Sequence, residues 1–226
     1  MLGAKLRAAV RGTDGETTPV SRYSAAGVSG STWLDEAGGN DLAFSATPSI
    51  VDALGEDAVR FDGASIYAYA AASGMTVKGF RVRGYFPNGI SNSTVGILLD
   101  MSDWGSPEWQ SYIALGESSG YSDDETISVG DGQGFYDYGR TYSKDVFSPG
   151  VHDLDFSFSE VSSRWEIYVD GIQQTVHATT PPSRGGHARA LLVEQLSIGS
   201  FGMPYHGDSL LEADVIYIEL YSQAIF

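Results

Sequence analysis

The alternation of apolar and polar residues is clearest in residues 151–176. Between His152 and Ser159, leucine and phenylalanine occupy every second position, with aspartate or serine between them. A period of two residues is typical of a β-strand with one buried face. An apolar run at 165–169 follows, and Asp170-Gly171 separates it from a third run. Asp-Gly favours a tight hairpin, because a type I′ turn needs positive φ at both central residues. The segment is predicted to form three consecutive antiparallel strands.

Similar short runs, separated by turn residues, occur along most of the chain. Residues 76–86 are predicted as one long strand, with aromatic and aliphatic side chains on one face and Arg81 and Arg83 on the other. Further strands are predicted at 58–61, 94–99, 191–198 and 211–221. Ten to thirteen short strands at regular spacing predict an all-β sandwich.

Several separated motifs resemble one family. They are Trp33-Leu34-Asp35 with Gly39-Asn40-Asp41-Leu42, the run from Ala58 to Gly63, the hairpin from Trp165 to Gly171, and the last run from Glu219 to Phe226. Their order resembles laminin-G-like domains of the concanavalin A-like lectin and glucanase superfamily, of the kind found in bacteriophage virion proteins. The resemblance covers residues 23–226 and implies a jelly-roll sandwich of two antiparallel sheets. Residues 1–22, where the pattern is weakest, are predicted to form an N-terminal arm or leader.

Composition limits the classes of partner. The 226-residue chain has no cysteine, which excludes disulfides, thiolate zinc sites and cysteine nucleophiles and favours assembly in a reducing cytoplasm. Its formal net charge is −16, so we expect neither nucleic acid nor a membrane as partner. The first 34 residues are slightly basic, which favours either docking of the arm onto an acidic neighbour or simple solvation of its charges. The N-terminus lacks the apolar core of a signal peptide, so we expect no export by the general secretory route.

Paired carboxylates are the first chemistry to test in this superfamily. Its glucanases place three carboxylates at alternating positions of one strand, as Glu-x-Asp-x-Glu or a close variant, so that an acid and a nucleophile lie about 5–5.5 Å apart. Asp153 with Asp155 lacks the third carboxylate of that pattern, and Asp170, the partner of Glu166, is explained by the turn. We therefore predict solvent-face and turn roles for these acids and no catalytic residues.

No cofactor or resident metal is predicted. The four histidines, His152, His177, His187 and His206, are far apart in the sequence and lack a metal-ligand spacing. The acidic run at residues 123–125 is compatible with a calcium site at a sandwich rim or with a solvated loop.

Aromatic residues give the remaining candidate site. The ligand-binding candidates are Trp104, Trp109, Tyr136, Tyr138 and Arg140. Aromatic side chains in such positions stack on sugar rings, anchor protein interfaces, or cover the edges of their own sandwich. Arg81 and Arg83 either line a groove or pair with neighbouring acids.

Three functions follow from these observations. The first is a non-enzymatic structural or adhesion protein of a virus particle, a phage capsid decoration or tail-associated protein. It would be made in the host cytoplasm, be multimeric in the virion, contact other virion structural proteins through the arm and bind host-surface glycans. The alternative is a stand-alone, lectin-like carbohydrate-binding module, and the third is a glycoside hydrolase or lyase. All three rest on analogy at the level of the fold.

Overall fold

The computed structural model describes residues 17–91, 96–100, 111–116, 126–131, 140–162, 164–179, 191–200 and 210–226. Eighteen strands are found in these ranges, with one short 3₁₀ turn at Ala25–Gly27. The strands are β1 (Ser21–Ser24), β2 (Val28–Ser29), β3 (Thr32–Trp33), β4 (Leu42–Phe44), β5 (Ser49–Asp52), β6 (Asp57–Asp62), β7 (Ala68–Val77), β8 (Gly79–Phe86), β9 (Gly96–Asp100), β10 (Ser111–Leu115), β11 (Ile127–Asp131), β12 (Arg140–Ser143), β13 (Gly150–Ser159), β14 (Arg164–Val169), β15 (Ile172–Gln173), β16 (Val176–Thr179), β17 (Leu191–Ile198) and β18 (Glu212–Tyr221).

The strands form two antiparallel sheets. One has eight strands in the order β15-β14-β13-β8-β18-β6-β5, with β1 also paired to β18. The other has ten strands in the order β16-β12-β11-β10-β9-β17-β7-β4-β3-β2. The predicted all-β jelly-roll sandwich of two antiparallel sheets is confirmed. No described segment is a helix long and apolar enough to cross a membrane.

The two sheets share one main apolar core. At its centre Trp33 is fully buried, with its ring 5.3 Å from Phe44, 5.5 Å from Tyr23 and 6.0 Å from Phe61. The indole Nε1–H donates to the carbonyl of Ser24 at 2.6 Å, so the polar end of the ring is also satisfied. The tryptophan of the opening motif therefore joins strands of both sheets.

The meander predicted at residues 151–176 is present as β13, β14 and β15. Leu154 and Phe156 face the core from β13, and Ile167 faces it from β14. Asp170 and Gly171 have φ values of 53° and 77°, which confirms the predicted positive φ at both turn positions.

The prediction of one strand at residues 76–86 is wrong. The chain passes from β7 of the ten-stranded sheet to β8 of the eight-stranded sheet at Lys78. Val77 and Phe80 are both fully buried in the core, which a single strand does not allow for positions three residues apart. Gly79 fits the crossing closely, since a Cβ there would lie 2.8 Å from Ile225 and 2.9 Å from the carbonyl of Gln223.

The N-terminal boundary lies slightly earlier than residue 23. β1 begins at Ser21 and pairs with β18, with Ser21 opposite Leu220 and Arg22 opposite Glu219. The last two residues of the predicted arm are therefore part of the sheet. Residues 1–16 lie outside the described part of the chain, and their role in docking stays a prediction.

Asp35 and Asp62, two of the acidic residues in the motifs above, each organise a turn. The Asp35 carboxylate accepts hydrogen bonds from the backbone N–H groups of Arg22 at 2.9 Å and of Ala37 and Gly38 at 3.0 Å. Burial opposes ionisation, but these bonds outweigh it and hold the pKa of Asp35 below its usual range. The carboxylate thus ties the loop after β3 to β1.

Asp62 has the same role after β6. Its Oδ1 accepts the backbone N–H of Ala64 at 3.0 Å, Ser65 at 2.7 Å and Ile66 at 3.0 Å, and the Ser65 hydroxyl donates to Oδ2 at 2.7 Å. Burial raises the pKa of Asp62, but the four hydrogen bonds prevail and hold it well below the usual range. Gly63, at φ 67°, supplies the left-handed position that the turn requires.

Asp62→Ala is expected to lower the free energy of unfolding by about 1 kcal/mol at neutral pH, because three backbone donors lose their acceptor. A carboxylate with a depressed folded-state pKa stabilises above the unfolded pKa of about 4, and this contribution is lost as the pH falls through the folded-state value. The difference between Asp62→Ala and wild type should therefore shrink between about pH 5 and about pH 2 in urea unfolding. Asp57→Ala, an exposed carboxylate on the same strand, is the control. An equal loss there, or a pH-independent difference, would contradict the assignment.

Candidate functional site

The outer face of the eight-stranded sheet carries the acids considered for catalysis. Asp153 and Asp155 of β13 lie opposite Arg83 and Arg81 of β8. The Arg81–Asp155 distance is 3.0 Å, and the Arg83–Asp153 distance is 2.8 Å. Of the two roles expected for these arginines, pairing with neighbouring acids is the one observed.

Arg83 also contacts Glu56 at 2.6 Å, from the turn between β5 and β6. The hydrogen bond to Glu56, together with the one to Asp153, raises the pKa of the guanidinium although burial opposes this. The side chains of Arg83 and Asp153 are 19% and 13% exposed, so solvent screens this contact less than a surface pair. The group forms an ionic network that joins β5, β8 and β13.

Asp170 and Glu166, the second acidic pair, contact hydrogen-bond donors other than arginine. Asp170 Oδ1 accepts the backbone N–H of Asp153 at 2.9 Å, and Oδ2 lies 2.9 Å from Nδ1 of His152. Glu166 accepts a hydrogen bond from the Tyr168 hydroxyl at 3.0 Å. Burial, and next this hydrogen bond, raise the pKa of Tyr168 to about 12. Asp170 has the predicted turn role.

Metal ligation has no support in the ranges that the structure describes, where no group of three or more His, Asp or Glu side chains could hold an ion. His152 is buried, and its Nε2 contacts the carbonyl of Ser148 at 2.8 Å. The run 123–125, His187 and His206 lie outside the described residues, so the calcium alternative stays a prediction.

Of the five predicted ligand-binding residues, only Arg140 lies in the described part of the chain; Trp104, Trp109, Tyr136 and Tyr138 do not. Arg140 begins β12, and its backbone lies opposite Gly130 of β11 and Thr179 of β16. Residues that lie opposite one another on neighbouring strands form a register row, and this row continues from Gly130 through Tyr112 of β10 to Asp100 of β9.

This row is close to one rim of the ten-stranded sheet. β9 ends at Asp100 and β10 begins at Ser111, while β11 ends at Asp131 and β12 begins at Arg140. Ser111 lies opposite Asp131, one position beyond the Tyr112–Gly130 pair. The four other candidates belong to residues 101–110 and 132–139, which lie outside the described part of the chain.

Tyr142 and His177 form an aromatic pair two residues further along these strands. They are direct cross-strand neighbours on β12 and β16, and their rings stack with centroids 5.4 Å apart and planes at 28°. His177 is exposed, Tyr142 is half-buried, and the Lys144 ammonium lies 6.0 Å from the Tyr142 ring centre. Sequence reasoning did not identify this pair as a site. Tyr142 continues the alternation of Tyr136 and Tyr138, but the sequence holds no signal that pairs it with His177.

On the strands next to this pair, the outward-facing side chains are buried. Tyr112 and Ala114 of β10 are 4% and 0% exposed although they face away from the main core. The Tyr112 ring covers Gly130, where a Cβ would lie 2.4 Å from its Cε1 atom. The Ser128 hydroxyl is buried and has no hydrogen-bond partner among the described residues. The accessible aromatic surface therefore lies beside these buried residues, at Tyr142 and His177.

The chain matches no known family model and no curated protein. Solved structures share its fold. Domain 4 of AbnA, a GH43 extracellular arabinanase from Geobacillus stearothermophilus, in complex with arabinotriose, has a TM-score of 0.62 and 11% identity over 94% of this chain and 96% of that chain. Trypanosoma rangeli sialidase in complex with sialic acid has a TM-score of 0.55 and 13% identity over 91% of this chain.

A third structure belongs to botulinum neurotoxin type C, whose cell entry is described as dependent upon interaction with two ganglioside molecules; its TM-score is 0.59 at 8% identity over 92% of this chain. The chain spans 31% of the sialidase and 49% of the neurotoxin structure. At these identities the likeness shows the fold alone, a β-sandwich that is consistent with the expected lectin-like class. Neither the laminin-G family nor a phage relative is shown, and both stay predictions.

Arg83→Met is expected to lower the free energy of unfolding by about 2 kcal/mol, because Glu56 and the largely buried Asp153 both lose a guanidinium partner. Arg164→Met, an exposed arginine on β14, is the matched control and should change stability by about 0.5 kcal/mol or less. Urea unfolding measures both. Equal losses would show that the network does not stabilise the sheet.

Gly130→Ala is expected to destabilise the chain by about 1–3 kcal/mol, because the new methyl group collides with the Tyr112 ring. The control is Gly39→Ala, since no atom lies within 4 Å of the Cβ built at that loop glycine. Thermal unfolding compares the two variants. A neutral Gly130→Ala would contradict the placement of Tyr112 over β11.

Proposed function

We propose that the chain is a non-enzymatic carbohydrate-binding module whose glycan site lies at the β12–β16 edge of the ten-stranded sheet. The observation that carries this proposal is the accessible stack of Tyr142 and His177. Its rings offer an apolar surface to a sugar, and the neighbouring nitrogen donors can bind hydroxyl groups. Trp104, Trp109, Tyr136, Tyr138 and Arg140 stay the sequence-based candidates for further contacts with the sugar.

The shared fold supports this reading as an analogy. The similar arabinanase domain was solved with arabinotriose, the similar sialidase with sialic acid, and the neurotoxin interacts with gangliosides. A β-sandwich of this kind is thus compatible with sugar recognition. The fold does not choose the function, and the choice rests on the aromatic edge.

Binding without catalysis accounts better for the acids than hydrolysis does. Asp153 and Asp155 are each held by a guanidinium within 3.0 Å, and Asp170 holds the β14–β15 turn. A glycosidase needs one carboxyl group that donates a proton and a second that attacks or activates water. The observed pairing leaves these three groups with structural roles.

The virion role stays a prediction. The three solved structures compared above belong to two carbohydrate-acting enzymes and a neurotoxin, and none is a virion protein. The lectin-like module expected as the alternative is therefore the better supported function. Binding to surface glycans is common to both readings.

Tyr142→Ala and His177→Ala are expected to weaken glycan binding about tenfold, which corresponds to about 1.4 kcal/mol. The control is Tyr168→Ala, which removes a half-buried strand tyrosine from the other sheet, where its ring lies 4.3 Å from Phe226. A glycan array identifies the ligand, and titration calorimetry of the full chain gives the affinities. Binding that is unchanged in the two test variants, or lost equally in Tyr168→Ala, would overturn the proposal.

A further inference from the structure

A second pair of tyrosines lies on the outer face of the ten-stranded sheet, far from β12. Tyr67 precedes β7 and Tyr69 lies within it, with ring centroids 5.9 Å apart and planes at 38°. Tyr69 is 47% exposed and Tyr67 is half-buried. Together they form a two-ring surface that neither the ion network nor the Tyr142–His177 pair includes.

The residues around Tyr69 leave its ring accessible. Its cross-strand neighbours on the same face are Ala43 of β4 and Ser197 of β17, both small. Neither neighbour carries a charge, and neither does Ser45 after β4 or Ser65 before β7. The Asp62 carboxylate, which lies on the same loop as Ser65, is engaged by four hydrogen bonds within its turn. In a chain whose formal net charge is −16, a neutral aromatic surface favours an uncharged ligand rich in hydroxyl groups.

The loop that carries Tyr67 is held in place before any ligand binds. The Ser45 hydroxyl donates to the carbonyl of Ser65 at 2.7 Å and accepts the backbone N–H of Tyr67 at 3.1 Å. The backbone N–H of Ser45 donates to the carbonyl of Tyr67 at 2.9 Å. Asp62 fixes the other end of the loop through Ser65. A preorganised surface loses little conformational entropy on binding, which favours affinity.

We propose that Tyr67 and Tyr69 form a second, independent glycan-contact site that takes a neutral sugar ring. This inference rests on the proposed function, since it assumes that the ligand is a glycan. Five strand spacings separate β7 from β12, a distance of about 24 Å at about 4.8 Å per strand. A single sugar cannot contact both sites, whereas a polysaccharide can, and simultaneous contact strengthens its binding.

The experiment uses two kinds of probe on the full chain: neutral polysaccharides (arabinan, galactan and glucan) in affinity electrophoresis, and their trisaccharides in calorimetry. Wild type should bind the matching trisaccharide at two sites, and Tyr69→Ala at one. Retention by the polysaccharide should weaken about tenfold in Tyr69→Ala and further when Tyr142→Ala is added. Tyr69→Phe, which keeps the ring, should bind like wild type.

The controls separate the two proposals. Tyr168→Ala tests for a general loss of stability, and far-ultraviolet circular dichroism tests folding of each variant. If Tyr69→Ala binds like Tyr168→Ala while Tyr142→Ala is weakened, the second site is wrong and the proposed function stands. If wild type binds no glycan on the array or in the panel, both fail. If Tyr69→Ala instead converts a dimer to a monomer in size-exclusion chromatography, Tyr69 is a protein contact and the second site is overturned.

Discussion

The structure depends on the register of β8 between β13 and β18. Phe80 and Val82 enter the core, and Arg81 and Arg83 between them face outward, each opposite an aspartate of β13. A slip of one residue would turn both guanidinium groups into the apolar core and expose the aromatic side chains. The hydrophobic core and the ionic network therefore select the same register from the two faces of one strand.

This constraint divides the roles of the two sheets. The outer face of the eight-stranded sheet carries paired charges that hold strands together, and its aromatic rings are engaged as well, Tyr168 with Phe226 and Tyr221 with Arg81. The outer face of the ten-stranded sheet presents Tyr69 beside the small residues Ala43 and Ser197, and the stacked rings of Tyr142 and His177. Paired charges are costly to separate, whereas accessible rings bind without breaking an existing contact. This difference supports the proposal that a sugar binds to the larger sheet.

Local patterns predicted the parts of the fold that depend on a few adjacent residues. Strict alternation predicted the β13 to β15 meander, and Asp170-Gly171 predicted its turn. The crossing at Lys78 was missed, because apolar residues continue on both sides of it. The local signs are the Lys78-Gly79 interruption and the three-residue spacing of the buried Val77 and Phe80. The Tyr142–His177 pair was missed because the two residues are brought together by pairing between strands distant in sequence. Tyr67 and Tyr69 alternate around the buried Ala68, so their common face was readable locally, but their exposure depends on neighbours from β4 and β17.

The buried outward-facing residues Tyr112 and Ser197 lie between the two proposed aromatic sites of the larger sheet. Tyr112 covers Gly130, and Ser197, in the same register row, is only 6% exposed, so the row is inaccessible between β7 and β12 at these two positions. In the proposal a long ligand therefore contacts the sheet at two places, one near β7 and one near β12. Two weak contacts joined by a flexible ligand reach high affinity through effective concentration, provided that the ligand spans the gap between them. The proposed arrangement would select for ligand length, because a short sugar would gain the energy of one contact only.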